Sequence, residues 1–260
     1  MMTKDAATVL ITAPLKRGDP TEYTAIWAED AVKIAKDLGY NVITIKGSDT
    51  THDNVTNAIK RYKPNMVTHF GHGCQLSLQG QNECIISRKY SIDEMICMAE
   101  STNLEDRQKL LGFLNPLGKL SCPGICSIGD TDPCSPFCLY PTNVDLLRGS
   151  IVMAVACHSA EQLGKCAVSY GVNSYIGYND LLMFPVDSMN SQDMFGEIQL
   201  TLFKELLMGK TSQEAKETTE KLEDKYIRKF KTIKYIALPM LWNKIHRRVL
   251  GNPRTMIYQD

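Results

Sequence analysis

The stretch that decides the fold is IVMAVACHSAEQLG, residues 151–164. Six apolar residues run directly into Cys157, His158 and Ser159, and a helix-like segment follows at once. The apolar run is typical of a buried strand, and the segment after it has the apolar spacing of a helix. A buried strand that ends on a thiol at a sharp turn has two interpretations. Cys157 is either a small core residue or a nucleophile at the rim of a sheet.

Strand and helix signals alternate along the first 178 residues. Apolar β-prone runs occupy residues 8–13, 41–47, 65–73, 149–156 and 172–178, and helical spacing occupies residues 21–40, 51–64 and 159–171. Strands separated by helices of this length predict right-handed crossovers and a parallel sheet covered on both faces. The fold class is therefore α/β, with a mainly parallel sheet and helices on both sides.

The sequence divides into a core with an insert and a helical region that follows it. Residues 1–185 form the predicted core, and residues 101–143 within it form an insert rich in Pro, Gly and Cys. Inserts of this length tend to be functional. Residues 186–260 form a helical region that closes on the core with a final short strand in RRVLGNP.

The composition limits the classes of partner that the chain is expected to bind. Lys plus Arg and Asp plus Glu number 29 each, so no global field attracts nucleic acid or a membrane. Residues 225–248 hold eight Lys or Arg and no acid, which predicts a solvated helix face, with polyanion binding as the alternative. No apolar run is long enough to span a membrane and no signal peptide is evident, so a cytoplasmic protein is expected. The sequence leaves the oligomeric state open.

Two strand ends carry reactive residues. The third strand ends with His69 and His72, and the strand of residues 149–156 leads into Cys157. Because ligands bind beyond the carboxyl ends of parallel strands, neighbouring strands would bring His72 and Cys157 to one cleft. An imidazole can act as base for a thiol nucleophile. The N–H groups of Gly73 and Cys157 would form an oxyanion hole, and the helix from Ser159 would point its first amides toward Cys157.

Three segments of the sequence resemble a known group of enzymes. VTHFGHG (residues 67–73), LLRGSIVMAVACHSAEQLGKCAVSYGVNSYIGY (146–178) and VLGNP (249–253) look like landmarks of gingipain-type domains. The chain is thus similar to the cysteine peptidases of the caspase, gingipain, clostripain and legumain clan. The resemblance implies a caspase-like three-layer sandwich, with Cys157 as nucleophile, His72 as the catalytic histidine and Gly73 as an oxyanion donor. It also implies peptide or protein substrates and catalysis that requires no metal.

The sequence departs from one member of that clan. The Cys-His-Ser triplet resembles metacaspases, which have an Asp two positions before the cysteine to hold a basic substrate side chain. This chain has Val155 there. Asp180 and Asp187 are candidates for the missing pocket acid, which would allow cleavage after Arg or Lys.

Several other histidines and cysteines are predicted to have structural roles. His69 is read as a core or supporting histidine, His158 as shaping the turn, and Cys166 as core packing. The nine cysteines are an odd number in a chain without an export signal, so a disulfide framework is not expected. The insert contains Cys122, Cys126, Cys134 and Cys138 in a C-x3-C-x7-C-x3-C pattern. This spacing is compatible with one tetrahedral zinc, with free thiols and with disulfides.

The sequence therefore predicts a cysteine endopeptidase that works through a His72 and Cys157 dyad and an acyl-enzyme. Two other functions stay open. A catalytically silent member of the same fold would use its C-terminal helices and basic stretch to hold a partner. A zinc or thiol redox sensor would be built around the four cysteines of the insert.

Overall fold

The computed structural model describes residues 7–15, 21–75, 77–80, 137–139, 141–185 and 189–257. Nine strands lie in these ranges: β1 Thr8–Ala13, β2 Asn41–Lys46, β3 Met66–Phe70, β4 Gly73–Cys74, β5 Ser77–Gln79, β6 Phe137–Leu139, β7 Ile151–Val155, β8 Ser174–Tyr178 and β9 Arg247–Gly251. Seven α-helices accompany them: α1 Thr21–Asp37, α2 His52–Tyr62, α3 Pro141–Val144, α4 Gln162–Ser169, α5 Met189–Leu207, α6 Ser212–Lys229 and α7 Lys234–His246.

The main sheet has six strands in the order β2-β1-β3-β7-β8-β9. The first five are parallel to their neighbours, and β9 runs antiparallel to β8. This arrangement confirms the mainly parallel sheet and the final short strand that the sequence predicts. The register pairs Tyr178 with Arg247, so the start of β9 lies at the carboxyl end of β8.

Helices cover both faces of this sheet because its central strands are apolar on both sides. Every residue of β1, β3, β7 and β8 is buried. One face packs against α1, α5 and the α6–α7 pair, with Trp27 and Phe203 among its largest buried side chains. The other face packs against α2 and α4, with Ile59 and Leu163 in its core. The result is the three-layer arrangement expected of strands joined by helices.

The third strand is shorter than predicted. It ends at Phe70, whereas the sequence predicts a strand through residue 73. At Gly73 the chain enters a second, three-stranded sheet of order β4-β5-β6. The difference places His72 in the connection between two sheets, at the carboxyl edge of the main one. Among the described helices, none is both long enough and apolar enough to cross a membrane.

Candidate active site

The two strand ends singled out by the sequence are neighbours. Strand β3 pairs in parallel with β7, and the register aligns Phe70 with Val155. The Gly71 N–H extends this pairing by donating a hydrogen bond to the Val155 carbonyl at 3.2 Å. His72 follows Phe70 by two positions, and Cys157 follows Val155 by two positions. The predicted pair therefore leaves the sheet from adjacent strands at the same edge, and both residues are partly exposed.

The backbone at Gly73 lies directly against the backbone at Cys157. A Cβ atom on residue 73 would stand 2.6 Å from the Cys157 carbonyl oxygen and 2.9 Å from the Ala156 Cβ. Such distances are shorter than carbon–oxygen and carbon–carbon contacts allow, so only glycine fits here. The turn into β4 thus depends on the absence of a side chain next to the thiol-bearing residue.

A buried histidine supports the His72 main chain. His69 Nδ1 lies 3.0 Å from Thr12 Oγ1, and His69 Nε2 lies 3.3 Å from the His72 carbonyl oxygen. Burial lowers the pKa of His69 to about 3, so its ring is neutral at ordinary pH. Because a carbonyl can only accept, Nε2 carries the proton and Nδ1 accepts from the threonine hydroxyl. These contacts agree with the supporting role inferred from the sequence.

The Cys157 thiol is free, and its sulfur is largely desolvated although the residue as a whole is partly exposed. The Leu182 N–H points at its Sγ at 3.3 Å. Burial raises the pKa of the Cys157 thiol, and the Asp180 carboxylate raises it further, although the N–H groups of Leu182 and Cys157 act in the opposite direction. The thiol is therefore neutral in the free protein, and a reaction at this sulfur needs a base to remove its proton.

The helix after Cys157 does not begin where the sequence predicts. Helix α4 starts at Gln162, and residues 157–161 form a turn in which His158 has a positive φ of 53°. The first amides of α4, those of Gln162 and Leu163, donate to the Gln75 carbonyl at 3.1 and 2.7 Å. The prediction that a helix begins at Ser159 and points its first amides toward Cys157 is therefore wrong, since the helix begins at Gln162 and the loop between β4 and β5 binds its first amides.

Ser159 fixes the turn that carries Cys157, and sequence reasoning missed it. Its buried hydroxyl donates to the Ala156 carbonyl at 2.8 Å and accepts the Tyr178 N–H at 3.2 Å. A Cβ on Gly177 would stand 2.6 Å from the Ser159 hydroxyl oxygen. The glycine inside the β8 sequence was the available signal, because a glycine in a strand often marks a close approach of another group.

A buried ion pair contacts Tyr178, the last residue of β8. Arg247 binds Glu223 through two hydrogen bonds of 2.7 Å, and both side chains are fully buried. The guanidinium also donates to the Tyr178 hydroxyl, which in turn donates to Gln199. One residue of the predicted basic helix face is thus a core residue. Arg247 is the first residue of β9, the final short strand that the sequence predicts, and not part of a helix.

Acidic and imidazole side chains form the rim of the site. His158 Nδ1 lies 2.6 Å from Glu161 Oε1, and this hydrogen bond raises the pKa of His158. The Asp180 carboxylate is half-buried, accepts the Leu181 N–H at 2.7 Å and lies 3.9 Å from His246 Nδ1. The Asp180 carbonyl accepts the His158 N–H at 2.9 Å, which brings its main chain next to the turn that carries Cys157, and its role as a pocket acid stays a prediction. Asp187, the other candidate pocket acid, lies outside the described residues.

The structure tests the prediction for Cys166 but not those for the cysteines of the insert. Cys122, Cys126 and Cys134 lie outside the described residues, and only the backbone of Cys138 is described, so the zinc site stays a prediction. Cys166 is buried as expected, but it is also disulfide-bonded to a partner outside the described side chains. The core position predicted for Cys166 is thus confirmed, whereas the expectation that the cysteines would not form disulfides is wrong at this residue.

Comparisons with known proteins bear on the fold. No protein-family profile and no curated protein matches the chain. Among solved structures, the chain is similar to the Arg-specific cysteine proteinase gingipain R, with a TM-score of 0.50 at 12% sequence identity. The match covers 96% of this chain and 47% of the other, so the chain spans about half the length of that protein. The likeness confirms the caspase-like three-layer fold that the sequence predicts.

Proposed function

We propose that this protein is a cysteine endopeptidase in which Cys157 is the nucleophile and His72 is the general base. The observation that carries the proposal is the pairing of β3 with β7, which brings the two residues from adjacent strand ends to one edge of the sheet. The gingipain-like fold supports the same reading, since that neighbour is itself a cysteine proteinase.

The geometry favours a base-assisted attack. Because burial keeps the Cys157 thiol protonated, His72 removes the proton as the sulfur attacks the peptide carbonyl carbon. The carbonyl oxygen becomes an oxyanion, which the N–H groups of Gly73 and Cys157 stabilise. His72 then gives the proton to the leaving amine, and water hydrolyses the thioester to regenerate the thiol. No metal takes part in these steps.

Asp180 is the proposed recognition group for a basic substrate side chain. Its carboxylate is half-buried and near enough to the Cys157 thiol to raise the pKa of that group, and the Asp180 carbonyl accepts the His158 N–H at 2.9 Å. A guanidinium or ammonium group next to the scissile bond would pair with this carboxylate. Cleavage after Arg or Lys follows from this pairing.

Peptidyl probes with a thiol-reactive acyloxymethyl ketone test the dyad. We expect covalent labelling at Cys157, located by mass spectrometry, and its loss in Cys157→Ala and His72→Gln. His52→Gln is the matched control because His52 is a buried histidine of α2 that contacts Asn143. Labelling of His72→Gln at the wild-type rate would exclude His72 as the base.

The same probes test the basic preference. Probes with Arg or Ala before the ketone should label wild type at different rates, with Arg faster, and Asp180→Asn should remove the difference without slowing the Ala probe. Equal rates for both probes in the wild-type protein would reject Asp180 as the recognition group.

A catalytically silent fold is the second candidate, and the raised pKa of Cys157 is the observation that favours it. A silent protein would leave Cys157 unlabelled by every probe while a small alkylating reagent still modified it. Labelling confined to residues 122–138 would instead favour the thiol or zinc sensor.

A further inference from the structure

The outward face of α7 is apolar, which is unusual for a surface helix. Tyr235, Leu238, Leu241 and Ile245 have relative exposures of 63%, 57%, 40% and 54%. The opposite face of α7 is buried against the protein through Ile236, Ala237, Met240 and Asn243. The helix is therefore hydrophobic on both sides, and one of those sides faces solvent.

The exposed residues form one continuous stripe. Leu238, Leu241 and Ile245 follow each other at spacings of three and four, which places them on one side of an α-helix. Tyr235 precedes Leu238 by three positions and extends the stripe toward the start of the helix. We call these four residues the α7 stripe. Exposed apolar patches of this kind mark interaction surfaces.

Basic side chains border the α7 stripe at its amino-terminal end. Five of the eight Lys and Arg residues in 225–248 are exposed: Lys225, Arg228, Lys229, Lys231 and Lys234. They lie at the end of α6, in the turn that follows it and at the first position of α7. Lys234 precedes Leu238 by four positions and so continues the stripe itself. No acidic residue interrupts residues 225–248.

We propose that the α7 stripe and its basic border dock onto the surface of a membrane that contains anionic lipids. Apolar and aromatic side chains on one helix face, beside Lys and Arg, are the pattern of a helix that lies in the bilayer interface. The lysines attract anionic headgroups, and the stripe enters the acyl boundary. The sequence predicts no membrane partner because the net charge is zero and no segment can span a bilayer, but surface docking needs only a local basic patch and no span.

Docking at this face would set the candidate active site close to the membrane. The Trp242 indole N–H donates to the Leu181 carbonyl at 3.1 Å, and the neighbouring Leu182 N–H points at Cys157 Sγ. Asn243 adds two hydrogen bonds to the main chain of Met183. Helix α7 and the thiol are therefore joined through one short segment, although the docking itself does not rest on the proposed function.

Vesicle sedimentation tests the proposal. The purified full-length chain is mixed with phosphatidylcholine vesicles that contain or lack phosphatidylserine. We expect binding only with phosphatidylserine present. The change Leu238→Ser/Ile245→Ser should lower the partition coefficient by at least about tenfold. The change Lys231→Gln/Lys234→Gln should lower it by about tenfold.

Matched variants control for composition and folding. Ile26→Ser/Met208→Ser removes two exposed apolar residues elsewhere, and Lys36→Gln/Lys60→Gln removes two exposed charges elsewhere. Both should bind as the wild type does, and all variants should show wild-type unfolding midpoints in urea.

Three outcomes would overturn the proposal. The first is failure of the wild type to sediment with either vesicle, and the second is undiminished binding by Leu238→Ser/Ile245→Ser. The third is evidence that the α7 stripe binds a second copy of the chain or the substrate instead of a membrane. A dimer in vesicle-free solution that this variant abolishes would assign the stripe to a second copy. A raised KM for a soluble peptide in this variant would assign it to the substrate.

Discussion

The Cys157 carbonyl oxygen lies where a side chain on Gly73 would have to stand, 2.6 Å from the position of its Cβ. This contact joins the end of the β3 connection to the end of the β7 connection. Any side chain added at residue 73 must push the backbones at residues 73 and 157 apart.

Gly73→Ala should therefore impair the site more than the fold. We expect the rate of Cys157 labelling by a peptidyl probe to fall by about 100-fold, since displacements of about 1 Å have effects of that size. Gly149→Ala is the control, because Gly149 has a φ of 84° but a Cβ there meets nothing within 4 Å. The control should lose about 1 kcal/mol of stability and keep its labelling rate. Wild-type labelling in Gly73→Ala would contradict the proposed geometry.

Ser159→Ala tests the turn that carries Cys157. The change removes one hydrogen bond to Ala156 and one from Tyr178 at a fully buried position. We expect a loss of about 1–3 kcal/mol in the free energy of unfolding, together with slower probe labelling. Ser169→Ala is the control, because it removes a hydroxyl that donates to the Cys166 carbonyl within α4. If both variants label at the wild-type rate, Ser159 does not position the thiol.

The reactivity of Cys157 toward chloroacetamide should rise steadily with pH. Burial raises its pKa above the ordinary value of 9.0, so the thiolate fraction increases only in the alkaline range. Mass spectrometry of the peptide that contains Cys157 gives the rate at each pH. Asp180→Asn should move the midpoint to lower pH, since the carboxylate contributes to the raised pKa. A plateau already reached below neutral pH would indicate a preformed thiolate instead.

His69 should make the protein less stable in acid. Its pKa is about 3 in the folded protein against 6.5 when exposed, so only the unfolded chain takes up its proton between these values. The free energy of unfolding then falls as pH drops from 6.5 toward 3, by up to about 1.4 kcal/mol per pH unit. Urea denaturation at several pH values should show a shallower dependence for His69→Gln, which does not titrate. Parallel curves for the two proteins would disprove this assignment.

The buried pair of Arg247 and Glu223 should be sensitive to removal of one partner. Glu223→Gln leaves a guanidinium buried without its counter-charge, and we expect a loss of about 3–5 kcal/mol. The double change Arg247→Met/Glu223→Leu should recover much of that stability. Lys46→Met, at an exposed pair with Glu29, should cost no more than about 1 kcal/mol. Denaturation in urea measures all three, and a mild effect of Glu223→Gln would show that water reaches the pair.

Local patterns in the sequence determined the fold class. Apolar runs of strand length, separated by segments with helical spacing, predict a parallel sheet with helices on both faces, and the structure has both. The same patterns put His72 and Cys157 close to strand ends, although β3 and β7 each end two residues before them. These predictions succeed because strand ends and helix faces depend on neighbours close in the chain.

Only the tertiary structure decided which groups surround the thiol. The order of strands made β3 and β7 neighbours, Gln75 took the first amides of α4, and Arg247 left the basic face for the core. Each of these contacts joins residues far apart in the chain, and no local pattern encodes such a distance. The environment of Cys157, and with it the upward shift of its pKa, therefore arises from packing and could not be predicted from residues 151–164.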